Sequence, residues 1–172
     1  MTASTYQIGS PDGRRQFLVG RDEVVLAHFT PPGMLDLLRG VMLQAEIERQ
    51  PVGLMRPAPW NGKLWRVLVR GHDLATADNP RVGPLSRRER GSFDISWNGS
   101  PLQLLPDDPR GFAFRLLRQE TEVGNLQLRD FERGARWYAN LEVPGELPLA
   151  LVAFIAWLAR EGRADLERAR GN

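Results

Sequence analysis

Eleven consecutive apolar residues, Leu149 to Ala159, constrain this chain more than any other stretch. A run with no polar interruption reads as a buried helix, because a helix on a protein surface shows a polar stripe. At about 1.5 Å per residue it is ~16 Å long, too short for a bilayer core of ~30 Å. Pro148 suits the first helical position, and Glu146 complements the positive end of the helix dipole. Arg160 and Arg163 suit the negative end, Gly162 suits a left-handed cap, and 163–172 reads as a charged tail that frays into solvent. A helix that is apolar all round must be wrapped on all sides. The rest of the chain has to supply the wrapping.

Ahead of the helix the chain reads as short strands separated by turn residues. Gln16–Val19 and Val24–Phe29, around Gly20-Arg21-Asp22, read as a hairpin. Thr30-Pro31-Pro32-Gly33 followed by Met34–Gly40 predicts one short helix, with Thr30 as its N-cap and Gly40 as its stop. Strict alternation in Leu43–Glu48 predicts a half-buried strand, with Val52–Met55 returning beside it. Two Trp-Asn-Gly turns, at 60–62 and 97–99, lead into Leu64–Arg70 and Leu102–Leu105. Phe93–Trp97, Phe112–Leu116 and Val123–Leu128 follow the same signals, and the echo between 49–54 and 118–124 suggests a repeated hairpin unit. Trp137, Ala139, Leu141 and Val143 fall on one face of a last strand, for ten to twelve strands in all.

A mainly β meander that ends in such a helix has one economical architecture. This is a closed antiparallel barrel of about twelve strands with the helix threaded through it, since closure removes edge strands and surrounds the helix with apolar neighbours. Alanines at 150, 153, 156 and 159 keep one side of the helix narrow. The 172 residues suit one domain over 1–172, and 26% charged with 42% apolar residues is globular composition. The order of elements, the Val123-Gly124 strand start, the Trp137–Val143 strand and the Pro148–Phe154 helix start together resemble the tubby-like C-terminal superfamily. That superfamily includes the LURP-one-related and phospholipid scramblase proteins. The resemblance implies a twelve-stranded barrel around a central hydrophobic helix over nearly the whole chain. Scramblase-like members carry a cysteine-rich palmitoylated segment and a calcium loop, whereas this chain has no cysteine and no acidic loop with calcium-ligand spacing. Tubby members bind phosphoinositides through a basic pocket, which does not map onto this chain residue by residue.

Signatures of chemistry are sparse. The chain holds no phosphate-cradling Gly-rich loop, no His-Glu-x-x-His, no nucleophile elbow and no dinucleotide fingerprint. His28 reads as a core or barrel-wall histidine, His72-Asp73 as neighbours on opposite sides of a strand or caps of a turn, and Asp107-Asp108 as a turn. The segment from Gly71 to Gly91 has few apolar positions and reads as a long basic loop carrying Arg81, Arg87, Arg88 and Arg90. Arg14 and Arg15 in the first hairpin add to its field, and together the six form a candidate anion site, because clustered guanidinium groups chelate phosphate. A balance of 23 basic against 21 acidic residues leaves only +2, so attraction has to come from clustering rather than from net charge.

The expectation is therefore a non-enzymatic tubby-like module with no cofactor and no metal, which binds anionic lipid or phosphate at a membrane surface. The alternative is a structural or stress-associated scaffold for a protein partner, and a third reading is an enzyme built on His28 with Glu46 or Glu48. Nucleic acid is not favoured, since core packing explains the tryptophans better than a stacking platform does. The first twenty residues show no apolar run after a basic start, which makes a cytoplasmic location, with peripheral membrane contact, the default.

Overall fold

Strand alternation and the apolar helix resolve into a single wrapped core. The computed structural model describes residues 2–10, 17–57, 64–79, 81–82, 87–88, 90–131 and 136–171. Strands β1 (Ala3–Ser10), β2 (Phe17–Arg21) and β3 (Val24–Phe29) lead into helix α1 (Met34–Leu38). Strands β4 (Val41–Ile47), β5 (Gln50–Met55), β6 (Trp65–Val69) and β7 (His72–Asp78) follow, then the short pair β8 (Arg81–Val82) and β9 (Arg87–Arg88). The chain continues as β10 (Phe93–Trp97), β11 (Ser100–Pro106), β12 (Ala113–Arg118), β13 (Thr121–Phe131) and β14 (Arg136–Pro144), and ends in helix α2 (Leu149–Arg170).

Twelve strands form one antiparallel sheet in the order β3-β2-β1-β14-β13-β12-β11-β10-β7-β6-β5-β4, and β8 pairs only with β9. The two outer strands meet at a single bridge, where Thr30 and Gln44 exchange backbone hydrogen bonds of 2.8 Å each way. The barrel is thus nearly closed, with a seam between β3 and β4. Inward-facing residues of all twelve strands of this sheet join one apolar cluster with α2, and Ala150 to Ala159 are all buried, the four spaced alanines included. Phe17 and Phe29 stack across the β2–β3 pair at 4.6 Å, while Trp65 meets Trp157 of the helix edge to face at 5.1 Å.

The two ends of the barrel differ. Ala3 pairs with Pro144, so the end at which α2 begins also holds the β2–β3, β4–β5, β6–β7, β10–β11 and β12–β13 connections. Each of those five is a two-residue turn with both residues at positive φ, the conformation whose twist matches paired strands. Asn98-Gly99 carries the residues such a turn prefers, whereas Asp22-Glu23, Glu48-Arg49 and Gln119-Glu120 hold the same geometry without glycine. The described residues that flank the longer connections therefore lie at the opposite end, where α2 emerges, as do the fully described connections 30–40 and 107–112. We refer to these as the turn end and the loop end.

Several local expectations change. The first hairpin turns at Asp22-Glu23 rather than over Gly20-Arg21-Asp22, since Gly20 and Arg21 still belong to β2, with a register shift between Val19 and Gly20. Gly33, not Thr30, occupies the N-cap of α1, because Thr30 is engaged at the seam. The Trp60-Asn61-Gly62 turn lies outside the described residues. Strand β7 occupies the first third of the expected Gly71–Gly91 loop, its lumen-facing Ala75 and Ala77 being too small to signal an apolar face. Helix α2 does not stop at Gly162 but runs to Arg170, with Glu161, Gly162 and Arg163 buried. The charged continuation has partners there: the Arg163 guanidinium lies 3.9 Å from the centre of the Phe112 ring, and Arg170 donates to the Pro109 carbonyl.

Candidate functional site

Where α2 leaves the barrel, its Glu161, Asp165 and Arg168 follow one another at four- and three-residue spacing and so share a face. That face looks onto an open cleft of about 740 Å³ at the loop end. Trp65 at the start of β6 and Phe93 at the start of β10 line it with aromatic surface, their rings edge to face at 5.9 Å. Arg56, just past β5, Asn79, just past β7, and Arg90, just before β10, complete the wall. A second cleft of about 540 Å³ adjoins it and shares Arg56, Glu161 and Arg168.

The arrangement is held by polar contacts of unequal strength. Arg56 donates to the Glu161 carboxylate at 2.6 Å, and Glu161 is 8% exposed, so a charge-assisted bond anchors this guanidinium at the cleft wall. Asn79 donates to the Ser92 carbonyl at 2.9 Å, tying the exit of β7 to the approach of β10. Asp165 and Arg168 are 3.8 Å apart, the first half-buried and the second exposed, an association that water weakens. Three arginines thus face two carboxylates, one of which is taken up by Arg56. Trp65 Nε1 and Ser92 Oγ are buried with no hydrogen-bond partner among the described residues.

The loop after β11 braces the same end. Asp108 accepts from the backbone N–H groups of Arg110, Phe112 and Ala113 at 2.7, 2.8 and 2.6 Å, which makes Asp107-Asp108 a turn. Burial pulls the Asp108 carboxyl up, but the N–H groups of Ala113, Arg110, Phe112 and Gly111 together outweigh it and hold the group below the usual carboxylate range. Asp108→Ala is expected to lower stability by about 1–2 kcal/mol, the scale of a lost carboxylate cap. With the folded value depressed, this stabilisation is complete above the ordinary value of 3.8 and is lost as pH falls through the folded one. Melting curves of the two proteins should accordingly lie apart at neutral pH and draw together in strong acid. An equal gap at both would contradict the assignment.

The arginines expected from the sequence are distributed as follows. Arg90 is exposed and borders the cleft. Arg81, Arg87 and Arg88 belong to the β8–β9 pair, in which Arg81 stands opposite Arg88 and Val82 opposite Arg87. This pair lies between Asn79 and Arg90, both at the cleft wall. Arg14 and Arg15 lie outside the described residues, in the connection between Ser10 and Phe17. Arg56, Glu161 and Arg168 went unread. Arg56 and Glu161 are 105 residues apart, and ending the helix at Gly162 hid the face that Asp165 and Arg168 share with Glu161.

His28 is exposed on the outer face of β3 rather than in the core, because its neighbours Ala27 and Phe29 take the inward positions. It borders a cleft of about 600 Å³ by the seam together with Glu46, while Glu48 sits in a tight turn at the far end. Asp73 pairs with Arg66 at 3.5 Å, and His72 beside it is exposed. Among the described residues no group of three or more His, Cys, Asp or Glu side chains could hold a metal ion. Nor is any helix among them long and apolar enough to cross a membrane. No protein-family model, curated protein or solved structure matches the chain.

Proposed function

We propose that this protein is a non-enzymatic, tubby-like module whose loop end binds a phosphate-bearing anion, such as an anionic lipid headgroup at a membrane surface. One observation carries the reading: Arg56, Arg90 and Arg168 border a single open cleft, and the hairpin holding Arg81, Arg87 and Arg88 lies in the connection between two residues of its wall. Guanidinium groups converging on one opening suit the bidentate recognition of phosphate oxygens. The partly exposed Trp65 ring sits beside this charge, where a headgroup or its linker can pack.

The test is co-sedimentation with anionic vesicles and titration with inorganic phosphate over a range of ionic strength. Binding is expected to weaken as salt rises, because screening shortens the reach of exposed charges. Replacing Arg81, Arg87, Arg88 and Arg90 together by Gln should weaken vesicle binding by up to about a thousandfold, at roughly 1 kcal/mol for each arginine. Melting temperature should stay nearly unchanged, as for other surface substitutions. A wild-type protein that shows no salt-dependent binding to either probe leaves the scaffold for a protein partner as the better reading.

A further inference from the structure

Helix α1 presents four apolar side chains to solvent in five residues. Met34 is 80% exposed, Leu35 74%, Leu37 52% and Leu38 70%, and no residue of the helix is buried. Isolated exposed leucines are ordinary, but four within a single turn and a half form a continuous apolar knob. The only charged residue within it, Asp36, has Arg39 at 3.6 Å. The base of the knob is fixed, since the 30–40 connection is pinned at Thr30 by the bridge to Gln44 and resumes strand structure at Val41.

We infer that α1 is a membrane anchor which inserts into the interfacial region of an anionic bilayer, so that the phosphate met by the loop-end arginines belongs to a lipid. This inference rests on the anion-binding reading and supplies its source. Two features suit an anionic bilayer. Successive helical residues are about 100° apart, so Met34, Leu35, Leu37 and Leu38 share one arc of about 160° with Asp36 on the opposite side, the amphipathic pattern of a helix that lies in a membrane interface. The knob also stands at the loop end, together with the connections that carry Arg56, Arg81, Arg87, Arg88 and Arg90. A shallow apolar anchor and a basic surface acting together are the two signals that stable attachment to anionic lipid requires.

The chain has no cysteine, so Met34→Cys creates a single site for an environment-sensitive dye on the intact protein. Phosphatidylcholine vesicles containing phosphatidylserine should shift its emission to the blue and permit quenching by bromines on the acyl chains. Inorganic phosphate should do neither. Leu35→Asp with Leu38→Asp, at positions that support no core, should weaken binding to the same vesicles at least about tenfold while leaving phosphate binding unchanged. If vesicles bind but the dye keeps its aqueous emission and the double variant binds equally well, insertion is wrong and the electrostatic reading stands. If phosphate binds and vesicles do not, the lipid source is wrong. If neither binds, the anion-binding reading fails and the inference with it.

Discussion

Phe154→Asp is expected to yield no folded protein. Phe154 is 0% exposed at the middle of the apolar run 149–159 of α2, its ring 6.3 Å from that of Trp157, with barrel wall on the other sides. Removing the ring costs about 3–5 kcal/mol in lost burial and cavity formation, and an unpaired carboxylate in its place adds several more. The sum meets or exceeds the ~5–15 kcal/mol that holds a typical domain together. Phe154→Leu, which keeps the site apolar, should remain folded with a lowered melting point. A soluble Phe154→Asp protein with a cooperative melting transition would contradict the placement of α2 in the lumen.

Gly162→Val is expected to destabilise by about 3 kcal/mol, toward the upper end of overpacking costs. A Cβ at Gly162 would lie 2.7 Å from the Gly91 carbonyl oxygen and 3.1 Å from Cε2 of Phe93. Little room exists for retreat, because a Cβ at Gly91, itself at positive φ, would lie 2.8 Å from Leu166 Cδ1. Gly162→Ala gives the sharper test, because it should change sign with context. In an exposed helix interior the replacement stabilises by about 1 kcal/mol, whereas here contact with the Gly91 backbone outweighs that gain. Denaturant titration of both variants measures the effect. An alanine variant more stable than the wild type would mean that α2 does not press against β10 where it leaves the barrel.

These two positions also separate what can be read along a chain from what cannot. The apolar run ending at Ala159 and the period-two alternation in β4, β10 and β14 state locally which faces avoid water, and a helix without a polar face admits few enclosures. The twelve-stranded barrel around α2 follows from that logic. Gly162, by contrast, reads as a helix stop, since glycine in sequence signals freedom of the backbone. In the folded chain it marks a close approach by Gly91, 71 positions earlier, and the helix continues through it. Likewise Ala75 and Ala77 face the lumen without the bulk that would announce a strand.

The site shows the same division. Arginines between Gly71 and Gly91 are visible as a basic stretch, but whether they converge depends on which end of the barrel each connection reaches. That is decided by the parity of an antiparallel meander, which gathers the five tight turns at one end and the longer connections at the other. Arg56, Arg90 and Arg168 border one cleft through pairings and contacts spread over more than a hundred residues, and so does the Arg56–Glu161 bond. The sequence by itself determined the buried helix, the wrapping strands and their inward faces, because burial is written in local periodicity. Only the tertiary structure decided which loops meet, where α2 ends and which carboxylate holds Arg56, because those depend on long-range register, which local periodicity does not encode.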